Sequence, residues 1–343
     1  MRLFPSPFSL SGDAWLSWPK EWVFLERALE DFRGTIVAIA PSDRGKTTLV
    51  RLLAHLFLRG GRRVGWVDTD PGQSYIGPPT TLGAFLLLGR ENPEDFLFTP
   101  HFRFFGDTTP ERDIVAFAYL AWDLVRTVKR RSDVTLVDTC GLFHSPLGYY
   151  LKTMKIRLID PEIVLALGEK EEFAPFAPFL KERLLVLPVP PEVTRKHYET
   201  RREYRKKLFF LYFSSGREMR LPVSALRFSL PCYPSFFLWR VEETGGGLRF
   251  TSLGEEVFLS HQDEAPGVIC GLYGGDGKEL GLGILERVLW EEGLLAVFGV
   301  QCVPGKIEAI VPGILRVNRD GEEHGRFATW FPPFRFKFPR QAL

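Results

Sequence analysis

Ile36-Val37-Ala38-Ile39-Ala40-Pro41-Ser42-Asp43-Arg44-Gly45-Lys46-Thr47-Thr48 is the stretch from which this 343-residue chain is best read. An apolar, largely β-branched run enters a short polar loop that closes in Gly-Lys-Thr, and a leucine-rich segment follows over 49–57. That strand–loop–helix order is the context of a phosphate-binding loop. Gly45 lets successive backbone N–H groups face inward as an anion nest. The helix that starts near Lys46 aims its positive dipole end at the same point. Ser42, Asp43, Arg44, Gly45, Lys46, Thr47 and Thr48 are therefore the expected cradle, with Lys46 reaching the β- and γ-phosphates and the Thr47 hydroxyl a ligand for Mg²⁺. Ala40 stands where the first glycine of the pattern is usual, and its methyl group is small enough to be tolerated. A chance Gly-Lys-Thr in a surface turn would lack the flanking strand and amphipathic helix. The implied ligand is a nucleoside triphosphate.

Composition narrows the class. Hydrophobic residues make up 45% and charged residues 25%, as in a globular protein long enough for two domains. With a formal net charge of +2, any nucleic-acid surface has to be a local basic patch. Cys140, Cys232, Cys270 and Cys302 include no C-x-x-C pair, which argues against structural zinc and a disulfide framework and fits a reducing cytoplasm. No apolar run reaches the length of a membrane span, and Pro5 and Pro7 interrupt an N-terminus without the pattern of a secretory signal. Asparagine is confined to positions 92 and 318 while arginine and proline are plentiful, a depletion of thermolabile amides that predicts a heat-adapted source.

Apolar runs at 35–40, 63–68, 134–138, 162–167 and 183–187 alternate with helix formers that include 47–58 and 111–130. The alternation predicts an α/β fold: a P-loop-type, mainly parallel sheet with helices on both faces. Functional groups then collect at the carboxyl ends of the strands. Residues 1–33 carry Trp15, Trp18 and Trp22, and the spacing of Trp22, Leu25 and Leu29 predicts a helix over 21–32 that packs on the next domain. Base stacking by Trp15 or Trp18 is the alternative use of these rings.

Two acidic signatures follow strands. Asp68-Thr69-Asp70-Pro71-Gly72-Gln73 ends the second. A carboxylate here can hold Mg²⁺ or accept the proton of an attacking hydroxyl. Asp68 and Asp70 would share a face of an ideal strand, but the strand is ending, and spacing does not decide which faces the metal and which the acceptor. Asp138-Thr139-Cys140-Gly141 ends the third and is similar to the γ-phosphate sensor of GTPases. The Asn-Lys-x-Asp guanine reader is missing, because Asn92 precedes proline and Asn318 precedes arginine. Farther on, 194–213 is a basic helix in which Arg201 and Arg205 share a face with Arg202 beside them. Such arginines either form a solvated face or close over a triphosphate as a lid.

Taken in order, these motifs resemble the P-loop polynucleotide 5′-hydroxyl kinases, a family that includes the RNA-kinase subunit of the eukaryotic pre-mRNA cleavage machinery and the nucleolar pre-rRNA kinase. The resemblance spans about 19–213 and rests on 40–48, 68–73, Phe105-Gly106-Asp107-Thr108-Thr109-Pro110, Thr139-Cys140-Gly141 and the Arg201/Arg205 helix. It implies transfer of the γ-phosphate of ATP, with Mg²⁺, to the 5′-hydroxyl of RNA or DNA. It further implies that Asp70 faces the acceptor hydroxyl, which leaves Asp68 with Thr47 as the expected metal ligands. Thr139 and Gly141 become a clasp over the nucleotide and Arg201 and Arg205 the lid, with Arg202 beside them as a further expected nucleotide contact. The tryptophan usual after the clasp glycine is Leu142 here.

Beyond Leu221 the pattern turns β-like, with runs at 236–241, 248–252, 257–260, 268–272, 283–289 and 294–300 and glycine turns at 245–247 and 274–277. The expected organisation is an N-terminal segment 1–33, a kinase domain 34–218 and a β-rich domain 219–343. The alternating Phe334-Arg335-Phe336-Lys337-Phe338 reads as an edge strand. The six histidines have no metal-ligand spacing; His101 and His144 alone lie near motif loops. The leading function is therefore a kinase on nucleic-acid 5′ ends, and the alternatives are a GTPase-like switch or assembly factor and an ATP-binding scaffold.

Overall fold

Each predicted apolar run of the first half becomes a strand, and the chain divides into two compact units, Met1–Ser215 and Gly216–Leu343. The computed structural model describes residues 17–89, 91, 93–194, 198–227, 240–252, 255–260 and 267–326. The first unit opens with α1 (Phe24–Ala28), β1 (Gly34–Ile39), α2 (Lys46–Arg59), β2 (Val64–Thr69) and β3 (Thr81–Leu87). It continues with α3 (Pro93–Leu97), β4 (His101–Phe104), α4 (Ile114–Lys129), β5 (Val134–Thr139) and α5 (Pro146–Ile159). The last elements are β6 (Ile163–Leu167), α6 (Ala177–Leu180), β7 (Leu184–Leu187) and α7 (Tyr198–Phe213).

The seven strands form one sheet in the order β4-β3-β2-β5-β1-β6-β7. The five expected strands run parallel. β3 and β4 add an antiparallel edge that the apolar runs do not predict. The 70–76 loop crosses this edge closely: a methyl group on Gly83 of β3 would lie 2.1 Å from the Ile76 carbonyl oxygen. β5 lies between β1 and β2, with Asp138 in register with Ala38 on one side and Asp68 on the other. Two acidic strand ends are thereby brought level with the end of the strand that leads into the phosphate loop.

The N-terminal segment is a turn followed by a helix shorter than 21–32, because the burial periodicity holds without full helical geometry. Trp22, Leu25 and Leu29 are buried while Val23 and Phe24 are exposed. Trp18 packs against the same core, as the packing role predicts; Trp15 lies outside the described residues. The Trp22 ring reaches the phosphate loop, since a Cβ on Gly45 would stand 3.3 Å from its edge, and its Nε1 donates to the Pro188 carbonyl at 2.9 Å.

The second unit pairs its strands antiparallel among the described residues, with one isolated parallel bridge between Leu226 and Ile310. Its strands are β8 (Arg217–Pro222), β9 (Arg240–Thr244), β10 (Gly247–Ser252), β11 (Glu255–Ser260) and β12 (Val268–Tyr273). They continue through β13 (Glu279–Leu289), β14 (Leu294–Gln301), β15 (Ala309–Val317) and β16 (Glu323–Arg326). They build a three-stranded sheet, β11-β10-β9, and a six-stranded one, β16-β15-β12-β13-β14-β8. The glycine stretches at 245–247 and 274–277 fall between paired strands, as turn chemistry predicts. β8, β15 and β16 were not among the predicted runs; β8 mixes charged and apolar residues and is placed by pairing with β14. The start of the 236–241 run and the 334–338 alternation lie outside the described residues.

Trp22 joins the N-terminal segment, the phosphate loop and the end of β7 in one fully buried side chain. Trp22→Ala is expected to cost about 3–5 kcal/mol, the range for deleting a buried aromatic ring. Denaturant unfolding followed by circular dichroism measures it, and a loss under 1 kcal/mol would show that the ring is not a keystone of the core.

Candidate active site

The loop after β1 has the backbone that an anion nest requires. Gly45 takes φ 89° and Asp43 φ 56°, both left-handed, so the chain curls before α2 begins at Lys46. Aspartate is one of the few non-glycine residues that visits this region readily. Lys46 is buried, and its Nζ donates to the Pro41 carbonyl at 2.7 Å. Burial holds its ammonium below the ordinary lysine range; Asp138 opposes this and Lys152 adds to it. Arg44 faces Glu172 at 3.7 Å, and His144 faces the same carboxylate at 3.4 Å. Thr48 is exposed on the first turn of α2.

The two strand-end aspartates differ from the expectation set for Asp68. Its carboxylate is buried and closes its own turn: Oδ1 accepts from the Asp70 amide at 3.0 Å, and Oδ2 accepts from the amides of Tyr75 and Ile76. The chain leaves β2 by wrapping around this side chain, so its oxygens are spent on the backbone. Asp138 instead stands against the phosphate loop, with Thr47 Oγ1 donating to its Oδ2 at 2.5 Å. The other oxygen, Oδ1, is buried and has no hydrogen-bond partner among the described residues. Burial pushes the Asp138 carboxyl up, against the pull of Lys46 and the Thr47 hydroxyl. Asp68 is pushed well above the usual carboxylate range by burial and by the neighbouring Asp138 and Asp70. The signal that could have found Asp138 was in the sequence: it is the same Asp-Thr at a strand end as Asp68-Thr69, one strand nearer the loop.

Asp70 sits just past β2. Its Oδ1 accepts from the amides of Gly72 and Gln73 at 3.0 Å each, a turn that fixes the carboxylate while Oδ2 makes no hydrogen bond among the described residues. Behind it, Gly72 passes so close to the 106–109 segment that a Cβ would lie 2.6 Å from the Thr108 carbonyl oxygen.

Thr139 and Gly141 lie directly over the loop. Thr139 Oγ1 donates to the Ala38 carbonyl at 2.7 Å. A Cβ on Gly141 would fall 1.9 Å from Ser42 Oγ and 2.8 Å from Ser42 Cα, so the backbone here touches the phosphate loop. On α7, Arg201 forms an ion pair with Asp43 at 2.5 Å, and the buried Arg205 donates to the Gly72 carbonyl at 3.4 Å. Arg202 is exposed. Between the two arginines, Tyr204 donates to the Ser74 carbonyl at 3.2 Å, a contact that sequence reasoning did not find.

Sheet order and loop together place the first unit among the P-loop folds that bind nucleoside triphosphates. The chain belongs to the CLP1 P-loop family: the model described as "mRNA cleavage and polyadenylation factor CLP1 P-loop" matches residues 40–215. A polyribonucleotide 5′-hydroxyl-kinase of Pyrococcus horikoshii is 30% identical over 322 residues, covering 85% of this chain and 88% of that one. One from Pyrococcus abyssi is 26% identical over 342 residues, with 90% and 95% covered. The polyribonucleotide 5′-hydroxyl-kinase Clp1 of Xenopus laevis is 31% identical over 209 residues, with 56% and 47% covered. Among solved structures, the wild-type Clp1p–Pcf11p complex matches at TM-score 0.62 and 16% identity, covering 85% of this chain and 77% of that one. At that identity the likeness concerns the fold.

The approach of Gly141 to Ser42 is testable directly. Gly141→Ala forces the 139–142 turn and the loop apart and is expected to lower stability by roughly 1–3 kcal/mol, as overpacking does, and to weaken binding of an ATP analogue. Calorimetric melting and analogue titration check both. An alanine variant with unchanged melting and affinity would mean that the turn does not bear on the loop.

Proposed function

We propose that this chain is an ATP-dependent polynucleotide 5′-hydroxyl kinase that transfers the γ-phosphate of ATP to the 5′-hydroxyl end of RNA. The observation that carries the reading is the span of α7: Arg201 contacts Asp43 on the phosphate loop, while Tyr204 and Arg205 contact Ser74 and Gly72 on the loop that carries Asp70. One helix thus touches a triphosphate cradle and the loop that carries a fixed strand-end carboxylate, the two halves that transfer to a hydroxyl needs. The names of the archaeal relatives support a polyribonucleotide acceptor.

The loop amides and Lys46 bind the β- and γ-phosphates and neutralise their charge. Mg²⁺ fits the residues present, since Thr47 Oγ1 and the buried, unpartnered Asp138 Oδ1 are the hard oxygen donors that it takes. When bound it would screen the phosphate oxygens. Asp70, held by the Gly72 and Gln73 amides, orients the acceptor hydroxyl through Oδ2 and takes its proton. Arg201 and Arg205 add planar donors for charge that develops on the transferring group. Thr139 and Gly141 keep the clasp turn on the loop and limit entry of water, which suits transfer to a hydroxyl over hydrolysis. The Clp1p–Pcf11p neighbour supports a protein partner as well, and the four widely spaced cysteines support a cytoplasmic setting.

Incubation with γ-labelled ATP or GTP and 5′-hydroxyl RNA and DNA oligonucleotides tests the reading. Label is expected on the RNA 5′ end; GTP hydrolysis with no labelled oligonucleotide would point to the switch, and neither outcome to a scaffold. Lys46→Ala and Asp70→Asn should each lower transfer by about 10²–10⁴-fold, and near-normal transfer by Asp70→Asn would remove its role as base. Asp138→Asn should raise the Mg²⁺ concentration needed for half-maximal rate, whereas Asp68→Asn should act chiefly on stability.

A further inference from the structure

Two lysines on α5, Lys152 and Lys155, are almost wholly buried. Sinking an amine this deep is unfavourable unless its donors are used. Here they are used in one direction only. Lys152 Nζ donates to the Cys140 carbonyl at 2.6 Å and to Thr139 Oγ1 at 3.2 Å, with Cys140 Sγ at 3.6 Å. Those three contacts match the three N–H bonds of an ammonium. Lys155 Nζ donates to Thr69 Oγ1, and Thr69 Oγ1 donates in turn to the Asp138 carbonyl at 2.8 Å. The Lys155 amine also lies 5.3 Å from the centre of the Phe117 ring, against α4. Every acceptor of the two lysines belongs to a residue that directly follows Asp68 or Asp138, or to the next one.

We propose that Lys152 and Lys155 are positioning residues of the phosphoryl-transfer site: Lys152 holds the clasp turn at Thr139–Cys140 onto the phosphate loop, and Lys155, through Thr69, fixes the ends of β2 and β5 that present Asp70 and Asp138. The proposal rests on the kinase reading above for its catalytic half. The clasp half needs only that the loop binds a nucleotide. Neither amine touches the phosphate loop itself, so both act through other groups. Lys152 supports the turn whose Gly141 lies against Ser42, and losing it should loosen nucleotide grip. Lys155 ties two parallel strand ends to each other through a hydroxyl and a carbonyl, and losing it should disturb the alignment of acceptor and metal-side carboxylates after nucleotide has bound. The two residues therefore divide between affinity and turnover, a split that general destabilisation would not produce.

The test uses the full chain, a fluorescent ATP analogue for affinity, and the γ-labelled ATP assay with a 5′-hydroxyl RNA for rate. Lys152→Met is expected to weaken analogue binding at least tenfold with kcat at saturating ATP changed less. Lys155→Met is expected to lower kcat at least tenfold with analogue affinity changed less than threefold. The hydroxyl between Lys155 and Asp138 supplies a milder pair: Thr69→Val should reproduce the kcat loss and Thr69→Ser should largely restore it, which decides the point even if a lysine variant fails to fold. Analogue affinity within twofold of the parent in Lys152→Met, or equal turnover in Thr69→Val and Thr69→Ser, would overturn the proposal. A parent protein that binds the analogue but never labels RNA would instead sink the kinase reading while leaving the clasp role of Lys152 to be judged on affinity alone.

Discussion

The parallel pairing of β5 with β1 on one side and β2 on the other is the constraint on which the candidate site depends. The register sets Asp138 level with Ala38 and with Asp68, and Thr139 level with Thr69. From that single alignment the rest follows. The loop that leaves β1 curls over the end of β5, and Thr47 finds Asp138 at 2.5 Å. Thr139 caps the end of β1 through the Ala38 carbonyl. A slip of one residue would turn Asp138 to the opposite face of the sheet, and neither contact could form.

The same alignment explains why two similar Asp-Thr strand ends serve different purposes. Both aspartates are buried and both have carboxyls pushed upward, chiefly by burial. Asp68 meets this with three backbone amides and becomes the pin of the 70–76 turn. Asp138 has a hydroxyl on one oxygen and nothing among the described residues on the other. Pinning by Asp68 is what gives Asp70 a defined place, since the Asp70 amide is one of the three donors. The turn then presents carbonyls at Gly72 and Ser74 to the donors of α7. The Asp70 turn and α7 are thus connected through Asp68, the residue expected from the sequence to hold metal.

How much of this was legible in the sequence depends on the range of the interaction. The phosphate loop, the parallel strands and the order of motifs are local patterns with fixed spacing, and each was readable. The antiparallel β3–β4 edge was passed over although Thr81–Leu87 is an apolar run and His101–Phe104 alternates, because no long helix separates these strands as in the alternating strand–helix pattern. The division of labour between Asp68 and Asp138 was hidden because it depends on which way the chain turns after each strand. Lys152 and Lys155 were hidden for another reason: a lysine on a helix ordinarily signals a solvent-facing position, and only the proximity of α5 to the ends of β2 and β5 reverses that meaning. Tyr204 lay in plain view between Arg201 and Arg205 but had no motif to mark it.

Buried charge would ordinarily weaken a fold of this kind, and its concentration here calls for a balancing argument. Lys46, Lys152, Lys155, Asp68 and Asp138 are all buried within one region around the strand ends. The directions of titration show how they coexist. Burial draws Lys46 down and Lys155 down to about 7, and it pushes both aspartates up, so each group moves toward its neutral form. Opposite charges limit those movements, Asp138 supporting Lys46 and Lys46 supporting Asp138. Charge at the strand ends is therefore governed by pairing: each buried group stays ionised only as far as a partner of opposite sign supports it, and removing one member leaves its partner uncompensated in a low-dielectric setting.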